Sequence, residues 1–432
     1  MRGRSPAPKG HAQKNKTCIT KSLFGRLKSS RVFLWNRIQE NDTSVKNNRL
    51  GNVTFATILT NNRIMFKKTV LYCTMSGIVG TLLFLSCKPS QKMLAVGKDY
   101  VDTLRYQEEV HLKNVRQLTF GGDNAEAYWS FDDQKIVFQA TNKKWGVECD
   151  QIYYFDLSQK GMDRPPLLST GLGRTTCSYF MPDNKSIVYA STHEENASCP
   201  HVPPRREDGK YVWPIYESFD IYHSDLKGNI IKKLTNEPGY DAEATVSPKG
   251  DKIVFTSLRS GDLELYTMNT DGSDVRQITN QLGYDGGAFF SPDGTRLIFR
   301  ASRPKTEAEI KEYKDLLKQG LVMPTNMELY VCNVDGSGLR QLTTLGKANW
   351  APFFHPSGEK VIFSSNHKSA RGYQFNLFMI NLDGTGLKQI THDKVFDAFP
   401  MFSFDGKKII FSSNRNNKGT RDTNLFVADW VE

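Results

Sequence analysis

The chain carries no G-x-S-x-G elbow and no H-E-x-x-H helix, and its eight histidines are scattered. Serine hydrolases of that type and zinc peptidases are thereby left without their working parts. With 38% hydrophobic and 24% charged residues, the composition is that of a soluble globular protein, neither disordered nor polytopic. The body also lacks net charge. The chain as a whole is +11, but residues 1–64 hold 13 Lys/Arg against Glu40 and Asp42, so residues 65–432 balance 44 basic against 44 acidic groups. A basic nucleic-acid-binding face is excluded on that ground.

The basic stretch 1–64 has no sustained apolar period and reads as a disordered extension that need not belong to the natural product. A complete export signal starts at Met65: Met65–Lys68 is a basic n-region, Thr69–Leu85 an apolar run, and Phe84-Leu85-Ser86-Cys87 resembles a lipoprotein cleavage box. Residues 65–87 are therefore a signal peptide or signal anchor, with Cys87 as the expected lipidation site. Positive charge before the apolar run keeps the N-terminus inside and carries the rest across the membrane. Residues 88–114, including the polar Lys88–Tyr100, are expected to form a tether.

From residue 115 the chain repeats itself. Six apolar segments share one pattern: Lys135–Ala140, Ser186–Ser191, Lys252–Ser257, Arg296–Ala301, Lys360–Ser365 and Lys408–Ser413. Each follows a tight turn such as Ser291-Pro292-Asp293-Gly294. A third strand comes next, marked by Ile152-Tyr153, Ile221-Tyr222, Leu265-Tyr266, Leu329-Tyr330, Leu377-Phe378 and Leu425-Phe426. Asp-Gly hairpin turns at 271, 335 and 383 lead to fourth strands ending in Thr or Ser, such as Val275–Thr279, Leu339–Thr343 and Leu387–Thr391. The looser copies are Ile231–Thr235 and Pro165–Ser169. One such fourth strand, Val115–Thr119, precedes every other strand, whereas the chain ends on a third strand, Asn424–Asp429. The six units balance only if the first strand completes the last, which closes a ring and removes open edges. The expected fold is all-β: a six-bladed β-propeller over 115–432, closed by an N-terminal outer strand. Unequal repeat spacing places insertions at 192–219 in the second blade and 302–327 in the fourth.

The units Phe290–Phe299 (FSPDGTRLIF) and Met268–Thr279 (MNTDGSDVRQIT) resemble the WD40-like repeats of the TolB family. That resemblance implies a periplasmic protein of the Tol–Pal envelope system whose propeller binds partner proteins. TolB also has an α/β domain ahead of its propeller; here 27 residues separate Cys87 from Val115, so the likeness is to the propeller alone.

In such a ring the loops before each innermost strand and those joining second to third strands open on one face. Asp241, Asp285, Asn349 and Asp397 take matching positions there, with Asp123–Ala127 as the first blade's equivalent. Their oxygens could bind a structural cation or a ligand's hydroxyls and amines, or each could simply cap its own turn. Glu126, Glu243 and Trp350 are expected inside the channel entrance as ligand contacts. In the fourth-blade insertion, Thr306 with Glu309 forms a capping box before Ile310, Tyr313, Leu316 and Leu317, with Gly320 as the stop. The result is a short amphipathic helix over the propeller mouth. The second-blade insertion, with Trp213 and Tyr216, reads as an ordered lid and candidate partner surface. One disulfide among Cys149, Cys177 and Cys199 fits an exported chain, with the pairing open, and Cys332 reads as a buried thiol. His193, Cys199 and His201 match no zinc spacing, so no metal site is assigned. No cofactor is implied beyond that structural cation.

The expectation is a monomeric periplasmic propeller, lipid-anchored to the outer membrane and touching the membrane only through that anchor. It would bind an envelope protein or peptidoglycan-associated partner on its insertion-bearing face, and no nucleic acid. The alternative is a glycan- or peptide-active hydrolase or lyase using channel-mouth carboxylates, which needs them paired at catalytic separation.

Overall fold

The computed structural model describes residues 102–158, 164–370 and 372–432. The basic extension, the signal segment with Cys87 and the start of the tether lie outside the described residues. Among the described residues, no helix is long and apolar enough to cross a membrane.

Six antiparallel sheets form the blades of a propeller. Blade 1 comprises Asp123–Trp129, Lys135–Thr141 and Gln151–Asp156. Blade 2 comprises Thr175–Phe180, Ser186–Ser191, Asp220–Asp225 and Ile230–Lys233. Blade 3 runs Asp241–Val246, Lys252–Ser257, Glu264–Asn269 and Arg276–Gln277. Blade 4 runs Asp285–Phe290, Arg296–Ala301, Glu328–Asn333 and Arg340–Gln341. Blade 5 runs Asn349–Phe354, Lys360–Ser365, Asn376–Asn381 and Lys388–Gln389. Blade 6 takes Asp397–Phe402, Lys408–Ser413 and Asn424–Trp430, and is completed by Leu112–Gln117. That closing pair is antiparallel, with Arg116 opposite Val427 and Gln117 opposite Phe426.

The second strands carry unbroken apolar runs because both their faces are covered by neighbouring blades. Ile253, Val254 and Phe255 are all fully buried, as are Ile409, Ile410 and Phe411. An alternating strand would leave one blade face polar and the stack unfilled.

The repeat's terminal Thr has a mechanical role. Its hydroxyl accepts the first apolar N–H of the neighbouring third strand: Leu265 N to Thr279 Oγ1, Leu329 N to Thr343 Oγ1, Leu377 N to Thr391 Oγ1 and Leu425 N to Thr119 Oγ1, all 2.9 Å. Two residues earlier, the Gln amide donates back to the Thr carbonyl, at 2.8 Å for Gln277 and Gln117. A two-residue outer strand is thus fastened by side chains where its ladder is too short to hold it.

Blade 1 departs from the repeat. Its expected fourth strand, Pro165–Ser169, is reduced to a bridge between Tyr153 and Leu167. Pro165 and Pro166 have no N–H to give a ladder. The tether expectation also changes within the described residues. From Asp102 onward the chain is docked, with Glu109 fully buried and Tyr106 Oη donating to Asp393 at 2.7 Å.

Candidate functional site

Each innermost strand is broken by a register shift at the same point. There one residue per blade has a left-handed backbone: Glu126, Cys177, Glu243, Gly287, Ala351 and Phe399, with φ between 42° and 60°. Five of the six are not glycine, and each such residue carries a local cost of about 1–3 kcal/mol. The bulge turns the six side-chain positions onto the propeller axis, and all six line one cavity of about 30 Å³. Two residues further along, Tyr128, Tyr179, Phe289 and Phe353 meet across the axis at centroid separations of 5.3–6.2 Å. This aromatic layer is the floor of the cavity.

The aligned acids turn out differently from an open ring of oxygens. Each Asp is closed by an arginine that follows its blade's second strand. Arg259 meets Asp241 at 2.8 Å, Arg303 pairs with Asp285, and Arg415 meets Asp397 at 2.9 Å. Each guanidinium also lies over a ring of its own blade: Phe255, Tyr330 and Phe411, at 5.2, 4.8 and 4.9 Å. Asn349 accepts from Ser365 Oγ at 2.6 Å and donates to Met327 O. These side chains fasten the first strand to the second rather than facing the channel. Burial pushes Asp285 and Asp397 up to about 6, with the paired arginines pulling the other way. Among the described residues, no group of three or more His, Cys, Asp or Glu is placed to hold a metal ion.

Glu126 and Glu243 do reach the cavity, in unlike states. Glu243 accepts from Tyr284 Oη at 2.8 Å, Thr256 Oγ1 at 2.7 Å and Gly287 N at 2.9 Å, and pairs with buried Arg300. Burial would raise its carboxyl, but Arg300 and these donors outweigh that and hold it below its usual value. Room for the pair comes from the only Gly-Gly on an inner strand. A Cβ on Gly286 would strike the Glu243 carboxylate, and one on Gly287 the Arg300 guanidinium. Glu126 has no such partner. Its Oε2 is shut from solvent without a hydrogen bond, and burial pushes the carboxyl up to about 7, with a hydrogen bond from the Cys177 thiol pulling the other way and the charge of Glu243 adding to the rise. Beside it, burial first and then the two glutamates raise the Cys177 thiol well above its ordinary value.

The two insertions join above this cavity. Trp213–Pro214 from blade 2 pairs antiparallel with Leu321–Val322 from blade 4, and Ile215 N donates to Gly320 O at 2.7 Å. The predicted helix, α1 (Glu307–Leu317), has its capping box and buries Tyr313 and Leu316, with Tyr313 Oη on Asp262. Trp350 belongs to this lid rather than to the channel. Its ring stacks on Phe375 at 4.3 Å and its Nε1 donates to Pro324 O at 2.7 Å. Trp213 packs on Trp350 at 5.2 Å and covers Arg300 at 5.4 Å, while Tyr216 Oη bonds His201 O at 3.0 Å. The disulfide is Cys149–Cys199, which ties the second-blade insertion to blade 1 and leaves Cys177 free in the cavity wall. Burial raises the Cys332 thiol to about 12.

Residues 212–321, which run from the end of the second-blade insertion through the outer half of blade 2, blade 3, the inner half of blade 4 and most of its insertion, match the family described as TolB beta propeller domain. Over those residues the chain is similar to the TolB propeller family.

Solved structures similar to this TolB-like chain include a protein assigned as TolB from Agrobacterium tumefaciens. It is 20% identical, covers 72% of this chain and 91% of its own, and has a TM-score of 0.47. TolB from Acinetobacter baumannii is 17% identical over 72% of this chain and 64% of its own, at 0.44. An oligogalacturonate lyase from Vibrio parahaemolyticus is 11% identical over 73% and 93%, also at 0.44. Overlap of this size says nothing about partner or substrate. No curated protein sequence matches the chain.

Glu126 and Glu243 were legible at the channel entrance, but Cys177, Gly287, Ala351 and Phe399 were not, because the six share no residue type. One signal was available: each lies two residues after the aligned position occupied by Asn124, Thr175, Asp241, Asp285, Asn349 or Asp397.

Proposed function

We propose that this TolB-like propeller is an exported, periplasmic protein, lipid-anchored at Cys87, that binds an envelope protein or peptidoglycan-associated partner on its lid-bearing face. The observation that carries the reading is where apolar surface is left uncovered. Phe120 (70% exposed), Leu172, Val202, Tyr211 and Val395 all lie in loops or insertions at the lid-bearing end. Val110 belongs to the docked segment that follows Asp102, and Ile230, Ile231, Val275 and Leu387 to the outer strands and their approaches. Exposed apolar groups gathered at one end are what a docking face requires. The Cys149–Cys199 disulfide supports an oxidising compartment.

The enzyme alternative draws less support. Asp241, Asp285, Asp397 and Glu243 are each ion-paired, which leaves Glu126 as the single carboxyl of the set without an arginine, whereas glycoside hydrolysis needs two working together. Affinity capture from envelope extract, compared between the native chain and Phe120→Asp with Val395→Asp, tests the docking reading. A protein recovered by the native chain and lost with the double variant is the expected result. Equal recovery by both, or none by either, would sink the proposal, and the mass of the N-terminal peptide reports acylation at Cys87.

A further inference from the structure

Two buried polar atoms of the residues lining the axial cavity lack a partner, Glu126 Oε2 and Arg300 Nε, and of the two only the carboxyl oxygen is an acceptor. Glu243 is spent on Arg300, Tyr284, Thr256 and Gly287, and the Arg300 charge is spent on Glu243. Thr245 donates to Ala288 O at 2.7 Å. Glu126 Oε2 has no partner, in a space whose walls include the rings of Tyr128, Phe289 and Phe399. An orphaned buried carboxyl oxygen costs about 1–3 kcal/mol, which a bound group could return.

The lining selects the chemistry of that group. With Glu126 ionised, two carboxylates against one guanidinium repel an anion. A divalent cation takes six or more oxygens, and one free carboxylate among aromatic rings does not supply them. A volume of about 30 Å³ admits roughly two or three water-sized groups, so only the head of a ligand enters. A primary ammonium matches on each count: it is compact, donates to a carboxylate and is attracted to aromatic faces. Glu126, Cys177, Gly287 and Phe399 all keep partial exposure.

We infer that this cavity binds a primary ammonium group, presented as a lysine side chain or a chain N-terminus by the partner docked on the lid-bearing face. The identity of the carrier rests on the proposed partner-binding role; the ammonium site itself does not. The groups that set the charge state of Glu126 are Cys177, Glu243, Arg300 and the more distant Asp150. With the carboxyl near 7, ammonium binding at neutral pH drives it to the ionised form.

The test is calorimetric titration of the full chain with n-butylammonium and with n-butanol at pH 7, in two buffers of different ionisation enthalpy. The expected result is saturable binding of the amine only, with release of about half a proton per site. Glu126→Gln should weaken binding tenfold or more and abolish the proton release, while Glu126→Asp retains both in reduced degree. Melting curves confirm that both variants are folded. Amine binding unchanged in Glu126→Gln, equal binding of butanol, or no saturable binding to the native chain would each overturn the inference. Two short peptides, one with a lysine and an acetylated N-terminus and one with a free N-terminus and no lysine, separate the two carriers. Amine binding that survives while the Phe120/Val395 capture fails would leave this site standing and remove only the docking reading.

Discussion

Arg415 sits between two acids in the last blade, and its removal should cost far more than removal of either neighbour. Glu109 and Asp397 are fully buried and Arg415 nearly so. Its Nη2 lies 2.9 Å from both Glu109 Oε1 and Asp397 Oδ2. Its Nη1 reaches Glu109 Oε2 at 3.1 Å and Leu104 O at 3.0 Å. Glu109 in turn accepts from the backbone N–H of Tyr106 and His392. One cation therefore serves two carboxylates that water cannot reach. Arg415→Met strands both, a loss of about 3–5 kcal/mol as for breaking other buried pairs. Glu109→Gln removes one charge but leaves Arg415 paired with Asp397, so about 1–3 kcal/mol is expected. The pH dependence has a definite sign. The Asp397 carboxyl is already raised from 3.8 to about 6, so the folded form binds more protons than the unfolded form between those values. Stability contributed by that proton is present at low pH and lost as pH rises through about 6. Without Arg415 the window extends upward, so the Arg415→Met penalty should be larger at pH 8 than at pH 5. Urea unfolding at both pH values is the assay. Equal losses for the two variants, or a penalty for Arg415→Met below about 1 kcal/mol at pH 8, would refute the reasoning.

Two further outcomes are expected. Reducing Cys149–Cys199, which closes a 50-residue separation, should remove about 4 kcal/mol by loop entropy and speed proteolytic cleavage within 192–219, read by mass spectrometry of a timed digest. Gly287→Ala places a Cβ against the Arg300 guanidinium at φ 60°, so a loss above about 2 kcal/mol by thermal melting is expected; the same change at open, similarly positive-φ Gly346 should cost less.

The ring and its closure were legible because a repeat states its own period, and because one surplus outer strand had to pair somewhere. The roles of the Thr and Gln in that outer strand needed coordinates, since the sequence shows their recurrence but not what they bond. The aligned acids were visible as a set, and so in principle were their partners: Arg259, Arg303 and Arg415 each lie 18 residues after their Asp. Without that second step, a ring of pairs reads as a ring of free oxygens. Trp350 was placed near the axis by its strand position, yet its large ring follows the apolar lid, where it buries more surface. The joining of the two insertions had no sequence signal at all. Strands of two residues, Trp213–Pro214 and Leu321–Val322, are too short to show a period.

The pairing of Leu112–Gln117 with Asn424–Trp430 makes the ring a record of complete synthesis. More than 300 residues of chain separate the two halves of that last sheet. A product cut short before residue 424 presents an outer strand with no mate and a sixth blade of two strands. Such a fragment offers raw sheet edges to proteases and chaperones. Closure withdraws those edges together once residues 424–430 are in place, and a chain that stops before them keeps the edges exposed.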